Sequence, residues 1–110
     1  MNEVKFGVFV IPADMIEAQT LAQRAEAQGF YSVSHNDHFY SPLGTPDFHQ
    51  LECLTVLTVM GMVTKTIKLV PAVIAASFRT PPLLAKIATS VDLATNGRFI
   101  CGLGAGWQGK

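Results

Sequence analysis

The sequence is poor in charge, cysteine and tryptophan, and it has no long apolar run. Only 15% of its residues are charged, and eight Lys and Arg balance eight Asp and Glu to a formal net charge of zero. The basic residues are scattered, so the electrostatic footprint of a nucleic-acid binder or an anionic-membrane binder is missing. No segment approaches the roughly 18 apolar residues that span a bilayer. The start, Met1-Asn-Glu-Val-Lys, carries an acidic residue and leads straight into a strand pattern, unlike a secretory signal. Two cysteines, Cys53 in a helical pattern and Cys101 in a strand pattern, are too few and too embedded for a disulfide framework. They read as reduced core residues, and the expectation is a cytoplasmic protein whose partner is a small molecule, with no nucleic acid and no membrane. A hydrophobic fraction of 49% over 110 residues suits one small domain with a well-buried core.

The patterning alternates between strand and helix periods. Val4–Ile11 is a near-continuous apolar run, as expected of a parallel strand covered on both faces. Asp14 with Glu17 forms a capping-box-like helix start, Ala18, Leu21, Ala22 and Ala25 share one face, and Gly29 supplies the stop. Phe30–His35 reads as a second strand running into Asn36-Asp37-His38. The turn-rich loop Tyr40–Asp47 follows, with the length and position of a substrate-contacting loop. Leu51, Leu54, Leu57 and Gly61 mark a second, largely buried helix. Ile67–Ile74 is a third strand, and Pro71 inside it implies an irregularity. Thr80 is expected to cap a third helix with Pro81 at its first position. Leu84, Ala88 and Val91 line one side of that helix, and Asn96-Gly97 ends it. Arg98–Ile100 then reads as a short buried strand. The order βαβαβαβ argues for parallel strands joined by right-handed helical crossovers.

Gly102, Gly104 and Gly106 follow at every second position, and a glycine row lets a planar or phosphorylated ligand approach the backbone. Gly104 to Gly109 fits the dinucleotide pattern G-x-G-x-x-G, and Gly104 to Lys110 fits the start of a phosphate loop. Both patterns need a following helix, and the first needs a distant acidic residue that does not appear. A glycine-rich turn with no ligand is the plain alternative.

In a parallel barrel, catalytic groups sit at the C-terminal ends of strands. Here those ends are Ile11-Pro12, Asn36-Asp37-His38, Ala75-Ala76-Ser77 and Gly104-Ala105-Gly106-Trp107. His38 is the candidate for proton transfer, since imidazole titrates near neutral pH. Asp37 is its neighbour, although adjacent strand residues point to opposite faces. A loop histidine bonded to backbone is the bland reading. His35, Asp37 and His38 could instead ligate a metal, but that needs a further ligand and His49 is the one other histidine. No metal is expected. Trp107 is a core filler or a wall against a flat ring.

Several of these segments together resemble the luciferase-like monooxygenases, the superfamily of bacterial luciferase, flavin-dependent monooxygenases and coenzyme F420-dependent oxidoreductases. They are Asn36-Asp37-His38, Phe78-Arg79-Thr80-Pro81-Pro82 and Asn96-Gly97-Arg98-Phe99, followed by Gly102-Leu-Gly104-Ala-Gly106-Trp107. The resemblance implies an α/β fold of the parallel (β/α) TIM-barrel type. Residues 1–110 would form a single partial domain, an N-terminal half-barrel of about four strands in sequential order.

The same resemblance implies hydride transfer or monooxygenation of a small organic substrate, with F420 or FMN as cofactor. His38 and Asp37 would be catalytic, and Ala75, Ala76, Ser77, Gly104, Ala105, Gly106 and Trp107 would hold the cofactor. A non-proline cis peptide is implied at Ala75–Ala76 or Ala76–Ser77. A complete barrel takes about 250 residues, so the chain is expected to be truncated, and to be stabilised as a homo-oligomer or by another barrel half. A non-enzymatic half-barrel that acts as a binding or assembly module is the alternative.

Overall fold

A computed structural model describes residues 2–42 and 48–106. The chain begins with β1 (Gly7–Phe9), α1 (Met15–Ala27) and β2 (Ser32–His35). It continues through α2 (Cys53–Met62), β3 (Lys68–Pro71) and β4 (Ile74–Ala75). A 3-10 turn, Ala76–Phe78, leads into α3 (Pro81–Ala94), and β5 (Leu103–Gly104) comes last. The first three strands pair in parallel in the order β1-β2-β3, and β4 pairs in parallel with β5. A parallel bridge between Leu69 and Phe99 joins β3 to the segment that leads into β5. The order is therefore sequential, as expected of barrel strands.

Strand three differs from the single run read in the sequence. Its first half bonds to β2, with His35 opposite Pro71 and the Ala72 amide donating to the His35 carbonyl at 2.9 Å. Its second half bonds the other way, with the Ile74 amide donating to the Gly102 carbonyl at 2.8 Å. On that other side Leu69 already bonds to Arg98 and Ile100, and Pro71, which lacks an amide hydrogen, leaves a gap in that ladder between Leu69 and Ile74. The backbone between the halves contains the cis peptide Ala72–Val73. The cis bond is thus upstream of the expected Ala75–Ala76 and Ala76–Ser77 positions, directly after the last bond to β2.

Helices cover one face of the sheet, not both. Ala18, Ala22 and Ala25 of α1 pack with Val56, Leu57 and Met60 of α2 against Val33 and Leu69, and Val8 and Val10 join them from β1. Phe9, between those two valines, is 48% exposed, and Ile100 and Leu103 are also exposed. Side chains alternate across a strand, so the face opposite the helices is left uncovered. The expectation that both faces of strand one are buried fails for that reason. Cys101, expected in the core, is exposed, whereas Cys53 is buried. No helix among the described residues is long and apolar enough to cross a membrane.

The helix ends follow local chemistry. Asp14 Oδ1 accepts from the Glu17 amide at 2.8 Å, and Glu17 Oε2 accepts from the Ala13 amide at 2.6 Å. Gly29 at φ +83° closes α1, and Asn96 and Gly97 at φ +53° and +74° follow α3. Thr80 stands at the N-cap of α3 without a side-chain capping bond, so the expected hydroxyl cap is not made. Its carbonyl alone accepts, from Leu84 at 3.0 Å.

Two charged side chains tie these elements together at the end of the sheet away from the strand C-termini. Glu26 Oε2 accepts from the amides of Lys65, Thr66 and Ile67 at 2.8, 2.8 and 3.0 Å. Burial pushes its carboxyl up, but these amides and the Thr66 hydroxyl outweigh burial and hold it at about 2, from an ordinary 4.5. The buried Arg98 donates to the carbonyls of Thr95, Ile67, Gly61 and Thr64 and to the Thr64 hydroxyl. The Gly61, Thr64 and Thr95 carbonyls lie at or just beyond the C-terminal ends of α2 and α3, where the helix dipole favours a cation, and the Ile67 carbonyl precedes β3.

Arg98→Ala strands several buried carbonyls and is expected to lower unfolding free energy by at least about 3 kcal/mol in urea titrations. Arg98→Lys should recover only part of that loss, because an ammonium cannot span the same acceptors. The folded pKa of Glu26 lies below its unfolded value, so its contribution is present above about pH 4.5 and is lost as pH falls towards 2. Glu26→Gln should therefore lower stability at pH 7 and flatten the acid limb of the stability curve in that window.

Candidate functional site

The strand C-termini meet at one end of the sheet, and strand two supplies the polar side chains there. Alternation along β2 sends His35 into the helix layer, where it is fully buried. Its Nδ1 donates to the Val10 carbonyl at 2.9 Å, and its Nε2 faces the Gln50 amide nitrogen at 3.3 Å. His35 is thus a satisfied core histidine. Among the described residues no group of three or more His, Cys, Asp and Glu is placed to hold a metal.

Asp37 is the hub of the site. Its Oδ2 accepts from the Ala75 amide at 3.0 Å and from Arg79 at 2.7 Å, and its Oδ1 accepts from the second Arg79 nitrogen at 3.0 Å. Arg79 also pairs with Glu52. Glu52 is in turn the N-cap of α2, accepting from the amides of Leu54 at 3.2 Å and Thr55 at 2.6 Å. The result is a cation held between two carboxylates, linking the segment after β2, the end of β4 and the start of α2. The Asp37 bonds hold the Arg79 guanidinium above its ordinary range, against the opposing pull of burial. Burial raises the Glu52 carboxyl, but Thr55, Arg79 and the Leu54 amide together hold it below its ordinary value. Burial, Asp37 and Glu52 push the Cys53 thiol far up, so it is no nucleophile.

An open cavity of about 700 Å³ lies beside this hub. Asp37 and His38 line one side, Ala72, Val73, Ala75 and Ser77 form the floor, and Gly104, Ala105 and Gly106 close the far rim. His38 is half-buried there. The structure thus brings together His38, Asp37, Ala75, Ser77, Gly104, Ala105 and Gly106 from the sequence-derived set. Ala76 is exposed on the 3-10 turn and does not line the cavity. Trp107 lies outside the described residues.

The glycine row also has a packing cause that the spacing does not reveal. A Cβ on Gly102 would stand 2.9 Å from the Pro71 carbonyl oxygen, and one on Gly104 would stand 2.5 Å from Val73 Cγ2. These two glycines let β5 and the residue before it lie close against residues 71–74. Only Gly106, at φ +89° with its nearest neighbour at 3.8 Å, has open space beside it.

A second cavity, of about 690 Å³, opens between α2 and α3. Asp37, His38 and Phe78 line both cavities, while Phe39 lines only the second. The rings of Phe39 and Phe78 stack with centroids 4.1 Å apart. The sequence offered no sign of Arg79, Glu52 or Gln50 as site residues. Glutamate is not among the favoured N-cap residues, and Arg79 reaches its partners only through the fold.

The family model for luciferase-like monooxygenases matches residues 6–110. The chain is similar to the coenzyme F420-dependent tetrahydromethanopterin reductase of Methanopyrus kandleri, with a TM-score of 0.81 and 29% identity over 96% of this chain and 28% of that one. It is 38% identical over 87 residues to the pyrimidine monooxygenase RutA of Rhizobium rhizogenes, covering 77% of this chain and 24% of the relative. The oxygenating constituent of 3,6-diketocamphane monooxygenase from Pseudomonas putida, solved with FMN, shares the fold. Its TM-score is 0.76 at 18% identity, over 94% of this chain and 30% of that one. The chain therefore spans less than a third of the length of these proteins.

Arg79→Ala leaves two carboxylates without their shared cation and is expected to cost about 3 kcal/mol, with Arg79→Lys intermediate, in chemical denaturation. A loss below about 1 kcal/mol in the alanine variant would show that solvent replaces the guanidinium without penalty.

Proposed function

Because the chain belongs to the luciferase-like monooxygenase family, we propose that it forms part of an oxidoreductase that uses F420 or FMN to act on a small organic substrate, by hydride transfer or by monooxygenation. The observation that carries this reading is the convergence of His38 and Asp37 with the backbone of Ala72 to Ala75 and Gly104 to Gly106 around one cavity at the C-terminal ends of parallel strands. Parallel barrels keep their chemistry at that end. The cavity fits the cofactor on two counts. Its volume of about 700 Å³ is in the range of cofactor sites. Its floor and rim are peptide planes with small side chains, which a flat ring can contact directly.

When bound, the flavin or deazaflavin supplies the two-electron redox chemistry, and the protein supplies orientation and electrostatics. His38 is the residue for proton transfer to or from the substrate, since it is the one imidazole lining the cavity among the described residues, and imidazole is the side chain suited to moving protons near neutral pH. Asp37 is a positioning residue: its carboxylate is taken up by Arg79 and the Ala75 amide, which fixes the floor of the cavity relative to His38. Completion of the barrel by a further half, or association of copies, belongs to the same proposal, and so does a cytoplasmic location. The exposure of Phe9, Ile100 and Leu103 on the uncovered sheet face supports completion.

Titration of the 15N-labelled chain with FMN and with F420 should shift the amides of Ala72, Ala75, Ser77, Gly104, Ala105 and Gly106. Shifts confined to other regions, or none at millimolar cofactor, would defeat the assignment. In the assembled barrel, His38→Ala should lower kcat by about 10²- to 10⁴-fold while leaving these cofactor-induced shifts in place.

A further inference from the structure

His38 stands beyond the end of β2, whose ladder stops at His35, so the residue proposed to move the proton is not itself part of the sheet. Side chains hold the chain on either side of it. The Asp37 carboxylate meets both terminal nitrogens of Arg79, at 2.7 and 3.0 Å. The Phe39 ring stacks on Phe78 with centroids 4.1 Å apart and planes inclined by 26°. Phe78 closes the 3-10 turn Ala76–Phe78, and Arg79 is the extended residue that follows it. Both chain neighbours of His38 are therefore tied to one short segment, one by charge and one by aromatic contact.

Burial does not account for the stack, because Phe39 is 69% exposed and Phe78 is 38% exposed. Aromatic pairs attract beyond the area they bury, and a ring held by its partner loses rotamer freedom. The turn that ends in Phe78 also carries Ser77, in the floor of the redox cavity, and Ala75 just before it donates its amide to Asp37. A backbone has two soft dihedrals per residue, so a chain gripped at residues 37 and 39 leaves residue 38 little room to swing. Phe39 itself does not line the redox cavity.

We infer that Phe39 and Phe78 are positioning residues for His38: their stack, with the Asp37–Arg79 pair, clamps the backbone on both sides of the histidine and fixes its place relative to Ala75 and Ser77. The inference rests on the redox reading for what the imidazole does, and on the clamp alone for how it is held. Phe39 acts through His38 and not on the substrate. Its contribution is proximity, since a misplacement of about 1 Å at a reacting group costs on the order of 10²-fold in rate.

Phe39→Ala removes an exposed ring and should leave the fold intact, with the His35 amide in β2 as the internal reference. In the 15N-labelled chain the order parameter of the His38 amide should fall from about 0.85 to below about 0.6 in Phe39→Ala, and stay near the wild-type value in Phe39→Tyr. The order parameter of His35 should be unchanged in both. In the assembled barrel Phe39→Ala should lower kcat about tenfold with KM nearly constant, and Phe39→Tyr should recover most of that loss. In a His38→Ala background Phe39→Ala should change kcat by less than about twofold, because a residue that acts through His38 has nothing left to place. An unchanged His38 order parameter in Phe39→Ala overturns the inference, and so does a loss of order that extends to His35. An equal fall in kcat with and without His38, or a rise in KM alone, overturns it as well. Absence of cofactor-induced shifts in the wild type overturns the redox reading instead, while the order parameters still decide whether the stack holds residue 38.

Discussion

The Asp37 carboxylate is the constraint on which the functional end of the molecule depends. It is nearly buried, and removing a charge from water is costly unless geometry and hydrogen bonds are good. Here both oxygens face the flat guanidinium of Arg79, and one of them also takes the Ala75 amide. Such an arrangement adds little net stability over apolar packing of equal volume. What it does provide is uniqueness, because only one relative placement of β2, β4 and α2 satisfies all three charges. The cavity floor and His38 are fixed in relation to each other by that requirement.

The opposite end is held by a different use of the same side chain. Arg98 donates to four carbonyls and a hydroxyl. It neutralises the negative ends of two helices and satisfies oxygens that helix termini leave unpaired. Glu26 does the reverse for the turn before β3, collecting three amides on one carboxylate oxygen. The two ends of the sheet are thus set by ionic side chains that serve the backbone, and the middle is set by alanine, valine and leucine packing.

Much of this was legible in the sequence where the cause is local. The alternation of strand and helix periods, the Asp14 cap and the glycine stops at Gly29 and Gly97 each depend on residues within a few positions. Pro71 correctly marked an irregular strand, since the missing amide is a property of the residue alone. The Arg79 clamp was not legible, because Asp37 and Glu52 stand 42 and 27 positions away from it in the chain. The glycine row was visible, but its packing role was not. That role comes from Val73 and the Pro71 carbonyl, neighbours that only the folded strand pair supplies. Phe9 and Cys101 fooled the pattern for a related reason: hydrophobicity marks a residue for burial without saying whether the covering element is present.

The end of the bonds to β2 partway along strand three reaches beyond topology. Ala72 and Val73 line the cavity at the junction of two hydrogen-bonded ladders, one to β2 and one to β5. The floor of the site is consequently a shared edge, and its persistence is set by whichever ladder opens more readily. The β4–β5 contact is short and its Leu103 is solvent-exposed, which assigns it to the low-stability end of the molecule's local openings. Opening of β5 would therefore remove one wall of the cavity, so that the rim persists only as long as that short contact does.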